Sequence, residues 1–195
     1  MAYRPRDESP GYHHVVTRGN NKRVVFLDDR DRAFFLVTLN RVARKHGWEI
    51  LAYALMRNHY HLVIRVGDGG LARGMCELNT AYALHFNTEH ERINHLFGKR
   101  YWNESLTDER RLLNTVRYVV QNPRRAGIAG PLERHAWTSY RASIGLAFTI
   151  GRFARDELLE LFGRDPLIAT RKFVEFCETP APPPGPAVAS ERQPP

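Results

Sequence analysis

Two short patterns in this chain carry residue types from which a reactive site can be built. The first is His59-Tyr60-His61. On an extended strand, residues i and i+2 project to the same face. Two imidazoles then stand side by side, as two ligands of one metal ion require. The chain holds 9 histidines, so an HxH by itself discriminates little, and a polar pair on an exposed strand fits it equally. The second pattern is Tyr118 and Asn122, which share one face of a helix at i, i+4. The apolar stripe of that helix is Leu112, Leu113, Val116, Val119 and Val120. At ~100° per residue, Tyr118 falls well over ~100° from the stripe's centre, with Asn122 a little nearer. A tyrosine so placed faces solvent, a cleft or another element.

Combined, the two patterns make a complete site. His59, His61 and the amide oxygen of Asn122 hold a divalent cation, which polarises a phosphate as a Lewis acid. The Tyr118 oxygen attacks phosphorus. A phenol, with a pKa of about 10, needs activation by the metal or a base. The resulting phosphotyrosine ester conserves the bond energy, so strands can be rejoined without a nucleotide cofactor. Asn122 is expected to complete the site rather than Gln121, which lies nearer the opposite flank of the helix.

The surroundings are basic. The formal net charge is +8, and a nucleic-acid partner is one common reason for such an excess. Arg18, Lys22, Arg23, Arg57, Lys99, Arg100, Arg124 and Arg125 supply cations, and Trp102 an aromatic face. Single-stranded nucleic acid uses both, cations for its backbone and ring faces for its bases. Any one of these arginines also reads as ordinary solvated charge. One of His13 and His14, on the first strand, is expected near the same sheet face. Cys76 and Cys177 form neither a CxxC pair nor a disulfide framework.

The elements that must position these groups follow from periodicity and punctuation. Alternation predicts strands over Gly11–Arg18, Trp48–Met56 and His59–Val66. The last two are separated only by Arg57 and Asn58, as in a hairpin. Helical spacing predicts helices over Asp29–His46, with Gly47 as its stop, over Leu71–Asn87, and over Asp108–Asn122, ended by Pro123. His95 to Leu106 reads as irregular or strand. Short helices are expected near Thr138–Ile144, Arg155–Phe162 and Pro166–Cys177. This order predicts an α+β sandwich, an antiparallel sheet with helices packed mainly on one face. The expected division is a lead at 1–11, one domain at 12–145, a helical extension at 146–178 and a disordered Pro-rich tail at 179–195. A polar N-terminus and the lack of a long apolar run predict a cytoplasmic protein without a membrane span.

Four segments also resemble a known family. ALMRNHYHLVIRV (Ala54 to Val66) resembles the histidine-hydrophobe-histidine segment of the IS200-like tyrosine transposases of the HUH type. It is most similar to the subgroup associated with repetitive extragenic palindromes, usually worded LMPNHxHLL. Arg57 stands here in place of the usual Pro and adds a charge. YHHVVTRGNNKRVVFLDDRDR (Tyr12 to Arg32) resembles the family's opening strand, RGN turn and first helix. HLFGKRYW (His95 to Trp102) is similar to its HLFQGRF, without the Gln. YVVQNPRRAGI (Tyr118 to Ile128) resembles YxxxNPVRAG, and WTSYRA follows at Trp137 to Ala142. The resemblance covers roughly residues 12 to 145.

The resemblance implies a ferredoxin-like (RRM-like) domain, Mg²⁺ or Mn²⁺, and a 5′-phosphotyrosine intermediate on single-stranded or hairpin DNA. Tyr118 matches the nucleophile, His59 and His61 the metal histidines, and Asn122 the polar ligand. The implied activity is DNA transposition, or cleavage of palindromic repeats by a domesticated copy. The rival reading is a catalytically inactive hairpin DNA- or RNA-binding module of the same fold, and a third is a structural protein with an incidental HxH. Monomer and homodimer both remain open.

Overall fold

The computed structural model describes residues 7–68, 70–98, 100–128, 130–148 and 151–182. Strands β1 (Gly11–Arg18), β2 (Glu49–Met56), β3 (His59–Val66) and β4 (Trp102–Leu106) form one antiparallel sheet in the order β2-β3-β1-β4. Helix α1 (Asp29–His46) joins β1 to β2, and α2 (Leu71–Glu89) joins β3 to β4. This β-α-β-β-α-β order is the ferredoxin-like arrangement. Local chemistry accounts for the boundaries. Asp28 caps α1 in a reciprocal capping box with Asp31, and Gly47 ends it at φ 67°, a left-handed conformation that glycine adopts without strain. The Arg57-Asn58 turn closes the β2–β3 hairpin, with Met56 paired to His59.

Side-chain alternation along β3 divides the molecule. Tyr60, Leu62, Ile64 and Val66 point into a core shared with α1 and α2, where Phe26, Phe35, Trp48 and Tyr82 are buried. His59, His61, Val63 and Arg65 take the opposite face. Register sets their neighbours there: His14 lies opposite Val63, Val16 opposite His61 and Arg18 opposite His59. On the other side of β1, Trp102 pairs with Val16. The two long helices thus share one face, as expected.

The second face is closed by shorter helices: α3 (Glu109–Val120), α4 (Asn122–Arg125), α5 (Tyr140–Ser143), α6 (Arg155–Glu160) and α7 (Pro166–Glu178). Here the expected helix over Asp108–Asn122, ended by Pro123, needs correction. α3 stops at Val120, and Pro123 lies in the first turn of α4, with Gln121 as the joint. Proline is tolerated in a first turn because its missing N–H would be unpaired there anyway. The helical path is therefore interrupted at Gln121, between Tyr118 and Asn122.

The helices of 146–178 build the same core as α3 rather than a separate layer. Phe173 and Cys177 pack with Leu112, Val116 and Val119. Glu157 on α6 accepts a hydrogen bond from the Tyr12 hydroxyl at 2.8 Å and two from Arg65, both at 2.9 Å. The exposed edge of β2 is covered by bridges from Ala54 to Thr138 and from Ile50 to Phe153, which blunts an otherwise open strand edge. The start of the Pro-rich tail is placed as well: Ala181 is buried and its N–H donates to the Gln121 side chain at 2.9 Å. Residues 183–195, most of the tail expected to be disordered, lie outside the described residues. Among the described residues, no helix is long and apolar enough to cross a membrane.

Candidate functional site

The two histidines of the HxH do converge. His59 and His61 sit on one face of β3 with ring centroids 4.9 Å apart. The Asn122 amide reaches His61 Nε2 at 3.1 Å, and its side chain also hydrogen-bonds His59. Tyr118, one turn earlier, packs edge-on against His61 with centroids 5.7 Å apart. Four side chains drawn from one strand and one helix–helix joint therefore meet in one place. Tyr118 on α3 and Asn122 at the start of α4 flank the joint at Gln121, and both reach His61.

Tyr118 is only 9% exposed. A helical wheel places it off the apolar stripe, yet His14 and His61 of the sheet and Arg125 of α4 close around its ring. Its surroundings differ from a simple core. His14 lies 6.2 Å from its ring, and the Arg125 guanidinium carbon lies over it at 4.9 Å. Gln121 points the other way. Its amide donates to the carbonyls of Cys177 (2.5 Å) and Thr179 (2.7 Å), so it ties α3 to the end of α7 and takes no part in the site.

All three imidazoles of this face are held neutral. Burial pushes His14 down to about 3 and His59 down to about 4, the latter helped by the Arg18 charge and opposed by the hydrogen bond to Asn122. His61 lies well below the ordinary histidine value, chiefly through burial and then through its histidine neighbours and Arg18. Neutral imidazoles keep a lone pair for a metal. With an amide, a phenol and no carboxylate, the donor set suits a divalent cation that takes remaining ligands from water or phosphate. Among the described residues, no group of three or more His, Cys, Asp or Glu is placed to hold a metal by itself.

Two partners at the site escape the sequence patterns. His14, which the sequence leaves unresolved from His13, is the buried one on this face, and its Nε2 lies 3.0 Å from His61 Nδ1. His13 faces away, with Nε2 on the Ser9 carbonyl at 2.8 Å. Asn58 accepts from His59 Nδ1 at 2.7 Å. Its position directly before the HxH, in the hairpin turn, is the signal that could have found it.

The expected cations sort into three groups. Lys22, Arg23 and Arg57 are exposed and cluster where the β1–α1 loop meets the hairpin turn, since the Arg57 carbonyl accepts from Val25 (2.9 Å) and Phe26 (3.2 Å) N–H groups. Gly19 permits that loop: a Cβ there would stand 2.1 Å from the Arg23 carbonyl oxygen. Arg18 and Arg125 border the site itself, and Arg100 is exposed beside β4. Trp102 is half-buried and stacks edge-on against His14 at 5.4 Å, so it is a wall of the site. Arg124 is engaged by Glu178 at 2.9 and 3.2 Å. Lys99 lies outside the described residues.

A model of a family described as IS200-like transposases matches residues 9–122, a span that contains His14, His59, His61, Tyr118 and Asn122. No curated protein matches the chain. Among solved structures, the chain is similar to one described as a REP-associated tyrosine transposase bound to a REP hairpin. Identity is 17% over 80% of this chain and 96% of that one, with a TM-score of 0.63, which speaks for a shared fold. It is also similar to a candidate transposase from Deinococcus radiodurans R1, at 17% identity over 67% of this chain and all of that one, with a TM-score of 0.44. The matched span takes in the whole sheet, the long helices and the candidate site, and the chain belongs to the IS200-like transposase family.

Proposed function

We propose that this transposase cuts and rejoins single-stranded or hairpin DNA by transesterification at Tyr118. The observation that carries the reading is the meeting of His59, His61 and Asn122 beside the Tyr118 ring. His59, His61 and the Asn122 oxygen are the residues that would hold Mg²⁺ or Mn²⁺. When bound, such an ion supplies Lewis-acid polarisation of the scissile phosphate. The Tyr118 oxygen attacks phosphorus, forming a 5′-phosphotyrosine ester. The bond to the 3′ oxygen breaks, and that oxygen leaves as a 3′-hydroxyl after taking up a proton. The phenolic proton passes to solvent or to a phosphate oxygen. Arg125 sets a positive charge against the Tyr118 ring, which favours negative charge on the attacking oxygen. Attack by a 3′-hydroxyl on the ester reverses the step and joins strands.

Lys22, Arg23, Arg57 and Arg100 are proposed to contact the DNA backbone, and Arg18 the phosphate nearest the histidines. The solved relative bound to a REP hairpin suggests palindromic DNA as the first substrate to try. The test is a denaturing gel of labelled hairpin and single-stranded oligonucleotides with Mg²⁺ or Mn²⁺. The parent is expected to form a covalent adduct, Tyr118→Phe none, and Tyr12→Phe and Tyr101→Phe adducts like the parent's. An adduct in Tyr118→Phe overturns the assignment. DNA binding without any adduct in the parent leaves the binding-module reading instead.

A further inference from the structure

The two histidines are held on both edges, and their outer contacts decide which nitrogen each offers. A neutral imidazole has one N–H and one lone pair, and the bond made by one nitrogen sets the role of the other. For His59 the deciding partner is Asn58. The Asn58 Nδ2 group donates to the Lys22 carbonyl at 3.3 Å, and a carbonyl can only accept. That orients the amide, so its oxygen is the atom 2.7 Å from His59 Nδ1. An amide oxygen also only accepts. His59 has one proton and two acceptors beside it, the Asn58 oxygen and the Asn122 side chain; the short 2.7 Å bond to Asn58 assigns the proton to Nδ1 and the lone pair to Nε2.

For His61 the outer partner is His14. Its Nε2 lies 3.0 Å from His61 Nδ1, with the rings close to coplanar at 16°. The inner partner is the Asn122 Nδ2 group, 3.1 Å from His61 Nε2. An N–H pointed at Nε2 makes it an acceptor, so His61 Nδ1 donates to His14 Nε2. His14 itself cannot replace His61 as a ligand from this position, because its Nε2 is spent on the far edge of the His61 ring. It is also buried, with Trp102 edge-on against it.

We infer that His14 and Asn58 are positioning residues that pin the Nδ1–H tautomers of His61 and His59 and so turn both Nε2 lone pairs toward Asn122. Two unrelated chemistries, an imidazole and an amide, give the same result at neighbouring ligands. Outer partners of metal-binding histidines act this way generally, fixing the tautomer and the ring orientation. Asn58 has a second consequence. The amide that orients His59 also holds the backbone of the basic loop at Lys22, so the proposed DNA-contacting loop and the site share one side chain.

The inference rests on the metal reading above, and its test separates the two. Two-bond ¹H–¹⁵N spectra of histidine-labelled, metal-free protein report each tautomer directly. His59 and His61 should both show a protonated Nδ1 and a lone pair on Nε2. Mn²⁺ affinity is then measured by electron paramagnetic resonance on the parent and four variants, each checked for folding by its melting temperature. His14→Leu and Asn58→Leu should weaken Mn²⁺ binding about 10–100-fold and mix the tautomer of the ring they released. His14→Gln and Asn58→Asp keep an acceptor and should stay close to the parent in both readouts. The inference is overturned if the parent shows the opposite tautomers, if the leucine variants bind Mn²⁺ like the parent, or if the conservative variants fail as badly as the leucines. If a leucine variant does not fold, the tautomers of the parent still decide. A parent with the expected tautomers but no Mn²⁺ affinity overturns the metal reading and leaves the tautomer assignment standing.

Discussion

The two faces of the sheet are built from the same strands and do different work. On the α1/α2 face, β3 contributes Tyr60, Leu62 and Ile64 to a core of aromatic and aliphatic side chains. On the α3 face it contributes His59 and His61, joined by His14, Asn122 and Tyr118. Both sets are largely buried, so burial alone does not separate structure from function. What differs is what burial costs. Apolar side chains gain from leaving water, whereas imidazoles and an amide are tolerated only while hydrogen-bonded to one another. One residue of strand register separates the two outcomes.

The largest expected effect is acid sensitivity from the α3 face. The folded values of His14 and His59, about 3 and about 4, lie below the ordinary 6.5, and His61 is displaced the same way. The unfolded chain therefore binds these protons first. Stability is fully present above about pH 6.5 and is lost as the pH falls toward 4 and then 3. Every tenfold loss of proton affinity on folding corresponds to about 1.4 kcal/mol. The melting temperature of metal-free protein should drop steeply between pH 6.5 and 4, and more gently in His14→Gln. A flat profile would place these imidazoles in water.

The next contrast sets one face against the other at adjacent residues. Leu62→Ala empties part of the α1/α2 core and should cost about 2–5 kcal/mol, read by denaturant melts, while the folded fraction keeps the parent's Mn²⁺ affinity. His61→Gln should do the reverse, abolishing Mn²⁺ binding at a smaller cost in stability. Loss of Mn²⁺ affinity in folded Leu62→Ala would show that the faces are coupled.

A smaller effect distinguishes the neighbours at the joint of α3 and α4. Gln121→Ala removes an amide whose partners are the backbone groups of Cys177, Thr179 and Ala181, at a cost of about 1–3 kcal/mol, and should leave Mn²⁺ binding unchanged. Asn122→Ala should weaken Mn²⁺ binding and cost less stability. If only Gln121→Ala weakens Mn²⁺ binding, the ligand assignment is wrong.

Much of this is legible in the sequence, and the gaps have physical reasons. Strand alternation and end-capping signals mark β1, α1 and β3 to the residue, because those signals are local. The HxH, Tyr118 and Asn122 are readable for the same reason, as i, i+2 and i, i+4 spacings. His14 is not separable from His13, because adjacent strand residues swap faces and only the pairing of His14 with Val63 settles which faces α3. The structural role of Gln121 cannot be read at all, since its partners lie 56 to 60 residues away along the chain. Tyr118 is more buried than its helical wheel implies, because the wheel shows only its own helix and not the distant His14 and His61 or the Arg125 of the next helix that close over the ring.

The smallest expected effect concerns the C-terminus, and it tests how far the α3 face extends. From sequence alone, removal of 179–195 should leave folding intact, because a Pro-rich segment lacks core-forming residues. The structure divides that segment. Thr179 and Ala181 supply backbone partners to Gln121, and Ala181 is buried against the α3 core. Arg125, whose charge lies over Tyr118, also reaches the Ala181 carbonyl at 3.5 Å. A chain ending at Pro182 keeps all of these contacts and should melt like the parent. A chain ending at Glu178 leaves the Gln121 amide short of partners in a buried place. It should lose about 1–3 kcal/mol, less than Leu62→Ala, and it frees Arg125 from its contact with the Ala181 carbonyl. Both truncations are read by denaturant melts beside the parent. Equal stability in all three chains would show that the tail's first residues merely lie on the surface of this face. A loss already present on cutting after Pro182 would place part of the folding unit in residues 183–195.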